Sequence, residues 1–213
     1  MSLTTGLFAI KGQHLDKLSD VFAAFKLVDS GNEKSLTTWA AVEKLFNDEQ
    51  QNPQDDIQHR VVWADNGWTI IEDVSFILCG DEAALEKLSQ QLNAPIFALM
   101  TQGTSNCYAF WYYDKTKQRS FFNDNGNVAD NFGTPLPQEI RFNINGEAFY
   151  DDVHGLAKEL GIDWAKAEQL DKFIVKELTN SEELNKELEQ FAQQHRRQQQ
   201  ESRSTDKPWW KIW

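Results

Sequence analysis

Long apolar runs, cysteine and proline are all scarce in this sequence of 213 residues. No window approaches the roughly 18 apolar residues of a membrane-spanning helix, and residues 1–13 lack the cationic start and apolar stretch of a signal peptide. The two cysteines, Cys79 and Cys107, lie in apolar runs, which predicts buried, reduced thiols and a disulfide only in an oxidising compartment. We therefore expect a cytoplasmic protein.

Positive charge is a further deficit. Lys and Arg number 21 against 33 Asp and Glu, which gives a formal net charge of −12 at pH 7. The field of such a protein repels phosphate backbones, so no binding of nucleic acid is expected. Basic protein partners and neutral ligands are favoured instead.

Motifs that identify a reaction, a metal site or a cofactor site are missing. The chain has neither the glycine pattern of a phosphate-binding loop nor the G-x-S-x-G of a serine nucleophile. Its four histidines are scattered, without an H-x-x-x-H or C-x-x-C pair. The nearest donor cluster is Asp151, Asp152 and His154, whose aspartates are expected to cap a helix. We predict no metal, no cofactor and no catalytic residue, and a protein that is not an enzyme is favoured.

Aromatic residues, by contrast, are abundant, with 14 Phe and eight Trp. Burial of so much apolar surface offsets the entropy of ordering the chain, which predicts a globular domain. Short antiparallel turns are indicated, most clearly at Asn66-Gly67, the pair that type I′ hairpins favour. Amphipathic helices alternate with the hairpins, two of them starting near Asp81 and Asp151, and the second is expected to end at Gly161. The pattern predicts an α+β fold, a largely antiparallel sheet packed with helices.

Three further segments have weaker sequence patterns, and their secondary structure is predicted as follows. Residues 75–79, SFILC, are predicted to form a strand, and residues 163–178 a helix that Asp163 caps. Residues 123–137 are rich in Asn, Asp, Gly and Pro, which predicts a loop without regular structure.

Composition also divides the chain into a body and an appendage. Residues 1–180 are predicted to form one α+β domain. Residues 181–195 are predicted to form a further helix, with Leu184, Leu188 and Phe191 on one face. Residues 196–213 are predicted to be a polar, basic linker that ends in a Trp-rich anchor.

The anchor is the segment KPWWKIW, which holds three of the eight tryptophans. Between residues 195 and 213 five basic side chains accompany two acidic ones, in contrast to the acidic body. The segment has three alternative destinations: the protein's own body, a partner protein, or a membrane interface, the last disfavoured by its few apolar side chains. The predicted partner-binding residues are Trp209, Trp210, Ile212, Trp213, Lys207 and Lys211.

An alternative function depends on the aromatic strand at residues 107–113. Rings and hydroxyl groups together suit a small-molecule pocket. Strand alternation places Phe110 and Tyr112 on one face and Trp111 and Tyr113 on the other. The alternative is a small-molecule-binding protein or an enzyme, gated by the 123–137 loop, with a pocket lined by Trp111, Tyr113, His59 and Cys107.

Charge, anchor and missing motifs together favour a non-enzymatic protein-interaction module. Its acidity suits a basic partner, in the manner of inhibitors or immunity proteins that neutralise nucleases, because complementary fields speed encounter. The Trp-rich segment is expected to dock on a partner or on the body itself.

Overall fold

Nine strands form the centre of the protein. The computed structural model describes residues 4–51, 57–144 and 150–205, with side chains as far as residue 196. Within these residues the strands are β1 (Thr4–Lys11), β2 (Leu27–Leu36), β3 (Gln58–Asp65), β4 (Trp68–Glu72), β5 (Ile96–Gln102), β6 (Cys107–Asp114), β7 (Thr116–Asp124), β8 (Asn127–Gly133) and β9 (Phe173–Asn180). They pair into one antiparallel sheet of order β2-β9-β3-β4-β1-β5-β6-β7-β8.

Helices cover both faces of this sheet, and the predicted α+β class is confirmed. The α-helices are α1 (Leu18–Ala23), α2 (Trp39–Gln51), α3 (Glu82–Leu92), α4 (Tyr150–Glu159) and α5 (Glu182–Thr205). Helices α2 and α4 bury apolar side chains against one face, together with the 3₁₀ helix Trp164–Gln169. Helices α1 and α3 cover the other face. Each face therefore has its own hydrophobic core, and the sheet is buried between them.

Local sequence signals place several boundaries where they were predicted. Asn66 and Gly67 have φ of 49° and 76° between β3 and β4, as a type I′ turn requires. The carboxylate of Asp81 accepts a hydrogen bond from Ala84 N and caps α3. Gly161 follows α4 with φ of 95°, a conformation that costs glycine little.

Two of the less regular segments differ from prediction. Residues 75–79 form turns rather than a strand, because the buried carboxylate of Asp73 accepts hydrogen bonds from Leu78 N and Cys79 N and folds the chain around itself. The predicted helix 163–178 is a short 3₁₀ helix followed by β9. Residues 173–180 insert between β2 and β3, where strand pairing overrides the helical spacing.

The predicted irregular loop is also partly regular. Within residues 123–137, β7 ends at Asp124, a turn at Asn125 and Gly126 follows, and β8 pairs back along β7. Strand β8 is an edge strand with mostly exposed side chains, so polar residues are tolerated there and hide the usual alternation. The segment therefore extends the sheet.

Helix α5 continues to Thr205, beyond the predicted boundary at residue 195. The predicted linker thus begins inside this helix, and residues 206–213 lie outside the described residues. Among the residues that the structure describes, no helix is both long and apolar enough to cross a membrane.

Candidate functional site

Helix α5 is held to the body at its first turns. Lys26 Nζ lies 2.6 Å from Oε1 of Glu187 and 3.3 Å from Oε1 of Glu183. Leu184 packs, half-buried, against the core beneath α1 and α3. Every side chain from residue 185 to residue 196 is exposed, so the helix projects from the body as an arm. We call residues 182–205 the arm.

The arm exposes apolar side chains on one face of the helix, as their spacing in the sequence predicted. Leu188 is 50% exposed and Phe191 is 61% exposed, and together with Leu184 they follow a spacing of four and three residues. Such residues lie on one face of a helix. One apolar stripe therefore begins at the junction with the body and continues outward.

Beside this stripe the body has an apolar groove. A cavity of about 190 Å³ lies between the arm and the turns after β4, and a neighbouring cavity of about 290 Å³ shares two of its lining residues, Gln58 and Ile77. Ile77 is 59% exposed. We call both cavities together the Ile77 groove; its apolar lining consists of Phe25, Leu27, Phe46, Val74, Ile77, Leu78, Leu184 and Leu188.

The rim of the Ile77 groove is electronegative. Its two cations are already paired with carboxylates, Lys26 with Glu187 and Arg60 with Asp73 at 3.2 Å. The remaining charged groups of the lining, Glu49 and Asp81, are acidic. An apolar surface with an acidic rim favours a segment that carries both apolar and basic side chains.

A second candidate is a buried polar cluster beneath α4. Trp164 Nε1 donates a hydrogen bond of 3.0 Å to Oε2 of Glu72, and His154 Nε2 lies 3.3 Å from Thr101 Oγ1. The ring of Tyr150 stacks on His154 with 3.9 Å between centroids. We call these five residues the Glu72 cluster.

Burial displaces the pKa values of this cluster in opposite directions. It raises the pKa of Glu72 to about 8, assisted by the neighbouring charge of Asp73 and opposed by the hydrogen bond from Trp164. It lowers the pKa of His154 to about 4. At neutral pH the carboxyl group is therefore protonated, the imidazole is neutral, and the cluster carries no charge.

A neutral carboxylic acid near a neutral imidazole is a combination that acid–base catalysts use. Here, however, the two groups bind other residues, Glu72 the indole of Trp164 and His154 the hydroxyl of Thr101, and the ring of Tyr150 stacks on His154. The hydrogen bonds join β4 to the 3₁₀ helix Trp164–Gln169 and β5 to α4. This geometry serves to fix the α4 layer on the sheet.

Two buried ion pairs also hold the body together. Arg119 donates from Nε and Nη2 to Glu139, both at 2.9 Å, and its remaining nitrogen binds Ser120 O and Phe132 O. On the other side of the sheet centre, Arg60 pairs with Asp73, whose carboxylate organises the turns that present Ile77. The second pair thus shapes the groove.

The four residues of the predicted small-molecule pocket lie on two strands, with Cys107, Trp111 and Tyr113 on one face of β6 and His59 on β3. Trp111 and Tyr113 lie in the core beneath α3, on the face predicted by alternation. Cys107 is half-buried, less than predicted, and its Sγ lies 3.2 Å from Asp124 Oδ1. His59 lies on β3, four strands from Cys107, a spacing of about 19 Å across a sheet, and its ring is 3.6 Å from Glu49. The structure does not bring His59 to the other three residues.

The other predicted site residues are placed as follows. Asp151 and Asp152 occupy the first turn of α4, the position predicted for them. Within the described residues, no cluster of His, Cys, Asp or Glu has the geometry to hold a metal ion. The predicted partner-binding residues Lys207, Trp209, Trp210, Lys211, Ile212 and Trp213 lie outside the described residues.

Sequence reasoning missed both Ile77 and Glu72. Ile77 was predicted to lie in a strand. The signal that could have placed it on a surface turn is the acidic pair Glu72-Asp73, which ends the preceding apolar strand. Glu72 itself follows two isoleucines in β4 and ends a fully buried strand. A carboxylate in such a position is expected to have a perturbed pKa.

The comparisons give no further assignment, because no protein-family model, no curated protein and no solved structure matches the chain. The fold and the two candidate sites define a three-layer α+β protein with a projecting helical arm and an apolar groove at its base.

Proposed function

We propose that this protein is a non-enzymatic protein-interaction module whose binding surface is the Ile77 groove. The observation that carries the proposal is an exposed isoleucine between two cavities, continuous with the apolar stripe of the arm. Contiguous exposed apolar surface with a polar rim is typical of a protein-binding site.

The partner is proposed to be basic. The groove's cations are paired internally and its rim adds carboxylates, while the whole chain carries a formal charge of −12. A segment with Lys or Arg beside aromatic or aliphatic side chains satisfies both the apolar floor and the acidic rim. The narrower proposal is an inhibitor or immunity-type protein that neutralises a basic target.

The proposed location is the cytoplasm. Cys79 is buried and Cys107 half-buried, and both are free thiols in the structure. Burial raises the pKa of the Cys79 thiol, and the charge of Asp73 raises it further, which suits a reduced, unreactive cysteine.

The test uses a peptide that has the proposed chemistry. The probe is a fluorescein-labelled peptide Lys-Pro-Trp-Trp-Lys-Ile-Trp, and the protein is the full chain with Trp209→Ser, Trp210→Ser and Trp213→Ser, so that its own copy of this segment does not compete. We expect saturable binding by fluorescence anisotropy that weakens with added salt.

A matched pair of variants locates the binding surface. Ile77→Asp is expected to weaken binding at least tenfold, whereas Ile140→Asp, at an isoleucine that is 89% exposed on a different surface, is expected to leave it unchanged. Equal binding by the Ile77→Asp variant, or equal binding of a peptide with both lysines replaced by Glu, would contradict the proposal. Circular dichroism confirms that both variants are folded.

A further inference from the structure

The charge of the arm reverses along its length. Its first eight residues, 182–189, contain four glutamates and one lysine. Residues 195–213 contain five basic and two acidic residues, which gives the opposite net sign. Lys26 neutralises part of the charge at the base by pairing with Glu183 and Glu187, but the excess there stays negative.

The apolar side chains are also separated along the same segment. Leu184, Leu188 and Phe191 lie at the base, and the next apolar residues after Ala192 are Trp209 and Trp210. Between them the sequence QQHRRQQQESRSTDKP offers nothing that two helices could bury against each other. The exposed base of the arm therefore needs apolar cover from elsewhere.

The chain's own Trp pair cannot supply this cover. The helix carries the backbone from Leu188 to Thr205, 17 residues that span about 26 Å at 1.5 Å per residue. Trp210 follows Thr205 by five residues, which reach about 17 Å even when fully extended. Trp209 and Trp210 thus fall short of the groove at the base of their own arm. Trp213 follows Thr205 by eight residues and spans about 27 Å when fully extended, which reaches Leu188 at the outer edge of the groove but not Leu184, about 32 Å from Thr205.

A second copy of the chain accounts for both the reversal of charge along the arm and the separation of its apolar side chains. When two arms lie antiparallel, the basic outer part of each lies against the acidic base of the other, and opposite charges favour this alignment over the parallel one. The same alignment brings residues 209–213 of each chain to the Ile77 groove of the other. The contact is self-complementary, as a twofold dimer interface must be.

We infer that the protein forms an antiparallel homodimer through the arm, in which the segment 207–213 of each chain occupies the Ile77 groove of the other. This inference depends on the proposed function of the groove and names its occupant. Trp209, Trp210, Ile212 and Trp213 are the apolar side chains for the groove, and Lys207 and Lys211 face its acidic rim.

The test measures the mass of the full chain by sedimentation equilibrium. The wild type is expected to have twice the 24.6 kDa of the single chain, and to dissociate as salt is raised. The groove variant, Ile77→Asp, and the segment variant, with Trp209, Trp210 and Trp213 replaced by Ser, are each expected to weaken dimerisation at least tenfold. Ile140→Asp is the matched control and is expected to remain dimeric.

Mixing the two defective variants shows whether the segment of one chain binds the groove of the other or whether each substitution abolishes association in general. The groove variant keeps its segment and the segment variant keeps its groove, so an equimolar mixture is expected to form heterodimers with one intact contact. Heterodimers weaker than the wild type but stronger than either variant alone support the inference. Dimers that persist in the segment variant, or a mixture that stays monomeric, overturn it.

The two proposals fail in different ways. If the wild type is monomeric while the labelled peptide still binds the groove, the homodimer is wrong and the interaction module stands. If the peptide does not bind, the groove does not accept this chemistry and both proposals fail.

Discussion

The body of this protein buries charge, whereas its arm exposes apolar side chains. In the body, Arg119 and Glu139 are almost fully buried and satisfy each other, and Glu72 is buried as a neutral acid. In the arm, Leu188 and Phe191 face solvent beside glutamates and glutamines. The body thus satisfies the charges that it buries, whereas the arm and the Ile77 groove at its base expose apolar side chains, for which we propose a partner.

The largest expected effect comes from breaking the Arg119–Glu139 pair. Arg119→Met leaves Glu139 buried without its partner, and we expect the free energy of unfolding to fall by about 3–5 kcal/mol. Urea denaturation measures the loss. The control Arg141→Met removes the exposed pair with Glu159 and is expected to cost less than about 1 kcal/mol. Equal losses for the two variants would show that burial does not distinguish these pairs.

The next effect is a pH dependence from Glu72. Its pKa is raised from 4.5 to about 8 in the folded protein, so the folded state holds an extra proton between these values. The contribution of Glu72 to the free energy of unfolding therefore falls as pH rises from 4.5 to 8, by at most about 1.4 kcal/mol per pH unit. Because His154 contributes an opposite slope below pH 6.5, the net decline is expected between pH 6.5 and 8.

Glu72→Gln tests this dependence. The amide retains an acceptor for Trp164 Nε1 but cannot ionise, so the decline above pH 6.5 is expected to be shallower than in the wild type. Glu168→Gln serves as control, because Glu168 is an exposed residue of the 3₁₀ helix Trp164–Gln169 that carries Trp164. Parallel stability curves for the wild type and Glu72→Gln count against a buried neutral carboxyl group.

A smaller dependence is expected on the acid side, from His154. Burial lowers its pKa from 6.5 to about 4, so the unfolded state binds the extra proton and the contribution of His154 to stability falls as pH drops from 6.5 to 4, with a slope opposite to that of Glu72. His154→Phe keeps the stack on Tyr150 and removes this slope. His195→Phe, in the exposed arm, is the matched control and is expected to leave the slope unchanged. Thermal melting across this pH range reports both.

The smallest effect on stability is expected in the arm. In the monomeric segment variant, with Trp209, Trp210 and Trp213 replaced by Ser, Phe191→Ala removes a ring that is mostly exposed, so the free energy of unfolding is expected to change by no more than about 0.5 kcal/mol. Phe121→Ala, at a fully buried ring in the body, is expected to cost about 3–5 kcal/mol. A large loss from Phe191→Ala would show that its ring packs on the body, beyond its contact with His195 in the arm, and would contradict the comparison.

Sequence signals predicted those turns and helix ends that depend on residues close together in the chain. Asn66-Gly67, Asp81 and Gly161 act through turn geometry and capping, which involve neighbours in the chain. The α+β class followed from these short-range signals. Edge strands β2 and β8 were not predicted, because exposed side chains on an edge need not alternate.

The rest depends on residues distant in sequence. Strand β9 has a partner on each side, and both partners lie more than 100 residues earlier, so its local pattern was ambiguous. The Ile77 groove needs the turns around Asp73, the end of β9 and the base of the arm to meet. The helical face of Leu184, Leu188 and Phe191 was predictable, but its partner surface was not.

The insertion of β9 between β2 and β3 also bears on the order in which the protein folds. Among the strands that the structure describes, β9 is the sheet neighbour of β2, and the hydrogen bond between Asn32 and Glu177 spans 145 residues. Strand β2 therefore pairs with β9 only when nearly the whole body has left the ribosome. Contacts so distant in sequence slow folding. During synthesis β3 is an open edge, and the segment that closes it leads directly into the arm, so the edge is sealed just before the arm emerges.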